Sequence, residues 1–201
     1  PFEDAMPVAE TSLAWGAYAD KQEAFEQTYG ALTLQTIHAN GVEPADPLTL
    51  AIASPSNTAE GLAVFISATA AHTNKTSLSA ADVRQANAWL TELFAGNTRI
   101  RATPAEDFVT QGRSLGDAGL LSLASWQRVG LANRSDFVLT PLQPAVTLNY
   151  PLAIWASAPP AEKAVAREFR DLLLSEAYQS ALADFFLERA NTAQPGVQAD
   201  G

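Results

Sequence analysis

Apolar positions along the chain follow two spacings, one typical of buried strands and one typical of helices. Residues 48–53 form a nearly continuous apolar run, which ends at Ser54. After the polar stretch Ser54–Thr58, apolar side chains return at a helical spacing, at Leu62, Phe65, Ile66 and Ala70. This change of period predicts a buried strand that is followed directly by a helix from about residue 57 to residue 72.

The same reasoning divides the rest of the chain into alternating strands and helices. It predicts an extended segment over residues 7–18 and further strands over residues 117–123, 136–142 and 146–157. It predicts helices over residues 19–29, from Ser79 to Gly96 and over residues 103–111, a short turn or helix over residues 125–128, and two C-terminal helices, the second starting at Ser175. Polar residues 40–47 and 191–201 lack an apolar period and are expected to form a loop and a linker-like tail. Alternating strands and helices define the α/β class.

Three helices also carry a predicted apolar face. The faces consist of Val83, Ala86, Leu90, Leu93 and Phe94; of Val165, Phe169, Leu172 and Leu173; and of Tyr178, Leu182, Phe185 and Phe186. Ser79 and Asp82 match a capping box in which Asp replaces the usual Glu. Pro104 stands at a first helical position, where its missing N–H is no loss.

Composition and charge exclude several classes of protein. The 201 residues are 47% hydrophobic and 17% charged, which is typical of a folded domain. The net charge of −10 argues against binding to nucleic acid or to anionic membrane surfaces. No run approaches 18 apolar residues, so we expect no direct membrane span. The absence of cysteine suits an exported bacterial protein, and His38 and His72 lack the nearby partners of a zinc site.

Motifs for catalysis are weak, so the sequence predicts neither an enzyme nor a cofactor. Residues 112–116, GRSLG, match the G-x-S-x-G pattern of a nucleophile elbow around Ser114. That elbow lies between a strand and a following helix, whereas here a helix precedes the motif and a strand follows it. A phosphate-binding loop, a dinucleotide fingerprint and an H-E-x-x-H motif are all absent from the sequence.

The stretch Ser54–Thr58 has two interpretations. Serine, asparagine and threonine before a helix are ordinary N-cap residues. The same helix start also offers unpaired N–H groups and a positive dipole end, to which hydroxyl and amide donors could add, and such a site can hold an anion. On local grounds the pattern favours ordinary capping over ligand binding.

Three segments resemble the second half of bacterial extracellular solute-binding proteins of the type-II periplasmic fold, in the sulfate/molybdate-like group often fused to a von Willebrand factor A module. They are PVAETSLAWGAYADKQEAF, ASPSNTAEGLAVF and LNYPLAIWASAPPAEKAVAREFRDLLLSEAYQSAL. The resemblance implies a bilobal, periplasmic-binding-protein-like α/β fold from which the N-terminal half-lobe is missing. It also implies that residues 1–18 are a crossover segment, 19–145 a second-lobe domain, and 146–190 the return strand and C-terminal helices of the first lobe.

The resemblance further implies a function and a site. The expected function is extracellular or periplasmic binding of a small oxyanion or polar solute in an interlobe cleft, for an ABC transporter. The implied ligand-binding residues are Ser12, Ser56, Asn57, Thr58, Asn149 and Tyr150. Ser54 stands where the family has an aspartate, which puts that contact in doubt. Implied partners are a membrane permease and a fused or associated von Willebrand factor A module, with anchoring through parts outside this chain. A non-transporting interaction or scaffold module on the same fold is the alternative.

Overall fold

The structure, a computed structural model, describes residues 1–40, 48–95 and 98–190. Residues 41–47 of the predicted loop at 40–47, the helix end at Gly96 and the linker-like tail lie outside these residues. Within them the strands are β1 (Phe2–Tyr18), β2 (Leu50–Ala53), β3 (Thr98–Arg101), β4 (Ala118–Ser122), β5 (Phe137–Pro141) and β6 (Thr147–Trp155). The helices are α1 (Ala19–Tyr29), α2 (Leu34–Asn40), α3 (Ala59–Thr73), α4 (Ala80–Phe94), α5 (Pro104–Gln111), α6 (Leu123–Arg128), α7 (Pro160–Leu173) and α8 (Glu176–Ala181).

The described residues form two compact units. The small unit contains Pro1–Thr11 and the described residues from Thr147 onward, and the large unit contains the described residues from Ser12 to Val146. Strand β1 is long enough to contribute its first part to the small unit and its second part to the large unit. The mixture of strands and helices confirms the predicted α/β class.

The large unit is built on a mixed sheet with the strand order β3-β2-β4-β1-β5. Strand β2 runs parallel to both β3 and β4, whereas β1 runs antiparallel to β4 and β5. The carboxyl ends of β2, β3 and β4 therefore share one edge of this sheet. Leu13 of β1 pairs with Ser122, the last residue of β4, so β1 enters the large unit at the same edge.

Aromatic side chains fill the core on one face of this sheet. Trp126 of α6 is fully buried, and its indole N–H donates a 3.0 Å hydrogen bond to the carbonyl oxygen of Ala14. Its ring lies 5.3 Å from that of Phe108 and 5.4 Å from that of Phe137. A side chain at Gly16 would come within 2.6 Å of Trp126, so only glycine allows this close packing.

The helix starts confirm the local sequence signals. Ser79 and Asp82 form a complete capping box at the start of α4, and Pro104 is the first residue of α5. On the predicted apolar face of α4, Ala86, Leu90 and Leu93 are buried, whereas Val83 is exposed.

Two elements have no counterpart in the sequence prediction. Helix α2 has only 7 residues, of which Leu34 and Ile37 are buried. It is therefore too short for a helical spacing of apolar residues to be recognised in the sequence. Strand β3 has the sequence TRIR and no buried residue. It lies at the edge of the sheet, where pairing with β2 rather than burial holds it.

The small unit contains the paired strands β1 and β6 together with α7 and α8. The amide of Ala156 donates to the carbonyl oxygen of Pro1 at 3.1 Å, and Glu10 and Glu188 exchange two backbone hydrogen bonds. The C-terminal helices form where predicted, but α7 buries none of its residues. The predicted apolar faces of these two helices are largely exposed in the described residues.

Candidate functional site

The carboxyl edge of the large unit's sheet gathers polar residues from four strands. Ser54 directly follows β2, Arg101 ends β3, Ser122 ends β4, and Ser12 precedes the point at which β1 pairs with Ser122. Neighbouring strands lie about 4.8 Å apart, so Ser12 on β1 is about 10 Å across the sheet from Ser54 on β2. Ser12 and Ser54 are half-buried, whereas Ser122 is buried and accepts a hydrogen bond from the amide of Ser125 as the N-cap of α6. We call the edge that carries these serine residues the serine edge.

The turn between β2 and α3 is closed by hydrogen bonds to Ser54. The amide of Ser54 donates to Arg101 at 2.9 Å and so continues the pairing of β2 with β3. The carbonyl oxygen of Ser54 accepts from the amides of Asn57 at 3.2 Å and Thr58 at 3.0 Å. The hydroxyl groups of Ser54 and Ser56 lie 3.1 Å apart, and the side chains of Ser56 and Asn57 are exposed.

Thr58 has a structural role in this turn. Its hydroxyl oxygen accepts a 3.0 Å hydrogen bond from the amide of Gly61, which makes Thr58 the N-cap of α3. The same hydroxyl group donates to the carbonyl oxygen of Ser54 at 2.9 Å. Because its hydroxyl group already makes both bonds, Thr58 acts as a helix cap. The side chains of Ser56 and Asn57 are instead exposed to solvent.

Gly61 allows α3 to approach the turn closely. A Cβ atom at this position would lie 2.4 Å from the carbonyl oxygen of Ala53 and 2.5 Å from the carbonyl carbon of Ser54. Real Cβ atoms essentially never come so close to backbone atoms. The first turn of α3 is therefore held against the end of β2.

Glu60 is a site residue that the sequence analysis missed. One of its carboxylate oxygens accepts from the amide of Ser122 at 3.1 Å and from the hydroxyl group of Ser125 at 2.7 Å. The amide of Ser125 in turn donates to the side chain of Ser122 at 3.0 Å. The carboxylate therefore places a negative charge at the serine edge, beside the first turns of α3 and α6. The only sequence signals were an acidic residue in a first helical turn and the Ser-x-x-Ser spacing before Trp126.

The remaining sequence-predicted site residues fall in both units. Ser12 is half-buried and belongs to the large unit, together with Ser56, Asn57 and Thr58. Asn149 and Tyr150 lie on β6 in the small unit. The large unit thus brings four of the six predicted residues to its serine edge.

Arg113 and Asp117 lie at the other end of β4 from the serine edge, since both precede its first residue. The guanidinium group of Arg113 forms an ion pair with Asp20 at 2.7 Å and lies 4.2 Å from the ring centroid of Tyr18. The hydrogen bonds from Arg113 lower the pKa of the Asp20 carboxyl group. Asp117 accepts from the amide of Thr49 at 2.9 Å. These contacts are structural.

A small hollow lies near Asp117 rather than at the serine edge. Its volume is about 100 Å³, and its lining includes Lys21, Phe25, Tyr29 and Asp117. Pockets for small ligands are typically about 300–1,000 Å³. This hollow is therefore too small to be the main ligand site.

Ser114 of the G-x-S-x-G pattern is exposed on a 3-10 turn between α5 and β4. Its hydroxyl group donates to the carbonyl oxygen of Gln111 at 2.7 Å. The motif therefore follows a helix and precedes a strand, opposite to the order of a nucleophile elbow. Within residues 1–40, 48–95 and 98–190, no group of three or more histidine and acidic side chains is placed to hold a metal.

Comparisons with known proteins identify the fold. The chain resembles the sulfate-binding protein SubI from Mycobacterium tuberculosis H37Rv, with a TM-score of 0.63 and 14% identity over 94% of this chain and 59% of that one. It also resembles iron-bound HitA from Pseudomonas aeruginosa, with a TM-score of 0.62 and 14% identity over 96% of this chain and 60% of that one. A periplasmic thiamin binding protein matches with a TM-score of 0.58 and 14% identity, over 96% of this chain and 55% of its own.

These relatives share a fold with the chain, which is that of periplasmic solute-binding proteins. The chain spans a little over half of their length. No family model matches the sequence. No curated protein matches it either. In the part of the chain that the structure describes, no helix is both long and apolar enough to cross a membrane.

Proposed function

We propose that this chain is part of an exported solute-binding protein whose small polar ligand contacts the serine edge. The observation that carries the proposal is that Ser12, Ser54 and Ser56 lie at the edge of the sheet where β2, β3 and β4 have their carboxyl ends. In open α/β sheets ligands generally bind outside the carboxyl ends of the strands. The exposed side chains of Ser56 and Asn57 supply the donors and acceptors.

The charge of Glu60 favours a neutral or cationic polar solute over a free oxyanion. Its carboxylate already accepts from Ser122 and Ser125 at this edge. Two like unit charges about 5 Å apart repel by about 3 kcal/mol at an effective dielectric constant of about 20. An oxyanion bound beside Glu60 would have to overcome this repulsion, whereas hydroxyl, amide or ammonium groups would not.

The solved structures of similar fold also suggest a partner and a location for this protein. Two solved structures of similar fold are described as an ABC transporter from Clostridium perfringens and as the substrate-binding domain of a molybdenum ABC transporter from Clostridium difficile. By analogy we propose that a membrane permease receives the solute, and that the protein works outside the cell or in the periplasm, anchored through parts outside this chain. A fused or associated von Willebrand factor A module is a further partner implied by the sequence resemblance.

The proposal is tested by thermal denaturation of the chain against sugars, amino acids, quaternary amines, sulfate and molybdate. A ligand at about 100 times its dissociation constant adds about 2.7 kcal/mol to the free energy of unfolding, which is visible as a raised melting temperature. We expect a neutral or cationic solute to raise it. The combined variant Ser56→Ala with Asn57→Ala should lose most of that rise.

The matched control is the pair Ser77→Ala with Asn133→Ala, which removes the same groups from exposed positions away from the serine edge. This control should keep the full ligand-induced rise. Thr58 is left unchanged, because removing its cap would lower the melting temperature without any ligand. The residues Asn149 and Tyr150 are tested by the same titration with Asn149→Ala and Tyr150→Phe. A rise that survives in the Ser56 and Asn57 variant would contradict the serine edge as the binding site.

The second candidate is a non-transporting extracellular interaction module on the same fold. It is favoured by the exposed aromatic side chains of the small unit, among them Trp155, Phe169 and Phe185. Exposed apolar patches of this kind are typical of protein-binding surfaces. This candidate predicts a cooperative melt that no solute in the panel shifts.

A further inference from the structure

Arg101 ends β3 at the serine edge, and its guanidinium group makes no hydrogen bond or ion pair within the described residues. The residue is half-buried, and its Nε atom is buried without an acceptor among those residues. The carbonyl oxygen of Arg101 accepts from the amide of Ser54, which places the residue directly beside the turn that carries Ser56. Because buried N–H groups are normally hydrogen-bonded, this donor is available to an acceptor from outside the chain.

Carboxylates of the chain itself are not used by Arg101. Glu106 on the following helix pairs with Arg128 at 2.9 Å instead. The sequence has 22 acidic residues against 12 lysine and arginine residues, so partners are in excess. Ion pairs with carboxylates are made by Arg113, Arg128, Arg134, Arg167, Arg170 and Arg189. A half-buried guanidinium group that stays unpaired in such a chain is suited to the planar carboxylate of a ligand.

Glu60 provides the opposite charge on the other side of β2. Its Oε1 atom accepts the bonds from Ser122 and Ser125, whereas its second oxygen accepts none within the described residues. Strand β2 lies between β3 and β4, and neighbouring strands are about 4.8 Å apart, so the ends of β3 and β4 are about 10 Å apart. A cation and an anion, each with a free hydrogen-bonding atom, therefore flank the end of β2.

We propose that the solute of the serine edge is a zwitterion of the amino-acid or betaine type, whose carboxylate is bound by Arg101 and whose ammonium group is bound by Glu60. This inference rests on the proposed function, since it adds two residues to the same site. A zwitterion has no net charge, so it is compatible with the repulsion that Glu60 exerts on a free oxyanion. Contacts to the two charges are stronger than the neutral hydrogen bonds that Ser56 and Asn57 offer.

The test is a calorimetric and thermal-melt titration of the chain with the standard L-amino acids and glycine betaine. Each probe that raises the melting temperature is compared with two molecules of the same skeleton. The α-carboxamide (choline, in the case of betaine) keeps the cation and lacks the carboxylate, whereas the 2-hydroxy acid keeps the carboxylate and lacks the ammonium group. We expect the zwitterion to bind at least about tenfold more tightly than either.

Two variants separate the contributions of the two charges. Arg101→Met removes the guanidinium group; it should weaken the zwitterion by about 10-fold to 100-fold and leave the carboxamide within about threefold. Glu60→Gln keeps an oxygen for Ser122 and Ser125 but removes the negative charge. It should weaken the zwitterion to a similar extent without weakening the 2-hydroxy acid.

The matched control is Arg84→Met, which removes an exposed arginine of α4 that has no ion pair within the described residues. It should leave every affinity unaltered. Without any probe, Arg101→Met should melt at the same temperature as the unaltered chain or higher, because its Nε–H group has no bond to lose. A lower melting temperature would assign Arg101 a structural role and overturn the proposal.

Three binding results would also overturn it. They are a wild-type chain that binds zwitterion and carboxamide equally, an Arg101→Met variant that keeps the preference, and a chain that no amino acid or betaine stabilises. If another solute then raises the melting temperature and the variant at Ser56 and Asn57 loses that rise, the serine edge remains the binding site and only the zwitterion is excluded. If no solute of either panel acts, the proposed function fails as well.

Discussion

The carboxylate of Glu60 lies 2.7 Å from the hydroxyl oxygen of Ser125, which links the first turn of α3 to the first turn of α6. The same carboxylate accepts from the amide of Ser122 at the end of β4. One side chain therefore ties together two helix starts and the end of a central strand. It also places a carboxylate at the serine edge.

Replacement of Glu60 by alanine should destabilise the large unit. The amide of buried Ser122 would lose its partner, and an unsatisfied buried donor costs about 1–3 kcal/mol. Urea denaturation would measure this as a lowered free energy of unfolding. The control is Glu106→Ala, which breaks an exposed ion pair with Arg128 and should cost less than about 1 kcal/mol. Equal losses in the two variants would contradict a bridging role for Glu60.

The two hydroxyl residues of the turn should respond differently to truncation. Thr58→Ala removes the N-cap of α3 and should lower the free energy of unfolding by about 1 kcal/mol. Ser56→Ala removes an exposed side chain and should change it by no more than about 0.5 kcal/mol. Thermal melts of both variants test this difference. A larger loss in Ser56→Ala would show that the capping assignment is wrong.

Replacement of Gly61 by alanine should reverse the usual effect of this substitution in a helix. Alanine is normally favoured over glycine inside a helix by about 1 kcal/mol. Here its Cβ atom would meet the carbonyl oxygen of Ala53 at 2.4 Å, so we expect a net loss of about 1–3 kcal/mol. Calorimetry of the variant shows whether the free energy of unfolding falls or rises.

The comparison for Gly61 is Ala88→Gly, at an exposed position in the middle of α4. That change should cost about 1 kcal/mol through helix propensity alone. If Gly61→Ala proved stabilising, the first turn of α3 would not be held against β2 as described.

The capping box of α4 should make stability depend on pH. Asp82 is buried and accepts hydrogen bonds from Lys75 at 2.5 Å and from the amide and hydroxyl groups of Ser79. The ammonium group of Lys75, followed by the bonds from Ser79, lowers the pKa of the Asp82 carboxyl group well below its usual range. The ionised form is therefore favoured by folding. Its contribution is complete above the unfolded pKa of about 4 and is lost as the pH falls further.

Asp82→Asn should thus lower the free energy of unfolding at pH 7 and make its decrease below about pH 4 shallower. Urea denaturation at a series of pH values would show both effects. The control Asp184→Asn, at an exposed position in the small unit, should leave the slope of the large unit's stability with pH unaltered. An unchanged slope in Asp82→Asn would exclude this carboxyl group as a source of acid sensitivity.

Local signals predicted most of the fold because they act over a few residues. The change of period at Ser54 marked the end of β2 and the start of α3, and Ser79 with Asp82 marked the start of α4. Strand β3 escaped prediction because an edge strand needs no buried face, and pairing with β2 cannot be seen in a four-residue sequence. The resemblance to solute-binding proteins predicted the fold that the comparisons identify.

The candidate site was only partly accessible to such reasoning. Ser56, Asn57 and Thr58 were found because caps and ligand contacts use the same residue types at a helix start. Thr58 caps α3, whereas the side chain of Ser56 is exposed. This difference depends on the directions of the two side chains, which the sequence does not give. Glu60 was missed because its partner Ser122 is 62 residues away in the chain.

The sequence by itself determined the α/β class, the starts of α4 and α5 and the polar character of Ser54–Thr58, since each depends on spacing and on hydrogen bonds between near neighbours. Only the tertiary structure decided that Ser12, Ser54 and Ser122 share one edge, because strand order and direction arise from pairing between distant segments. It also decided that the apolar face of α7 points outward. A helical period records that a face is apolar, whereas the partner that buries it depends on the rest of the folded chain.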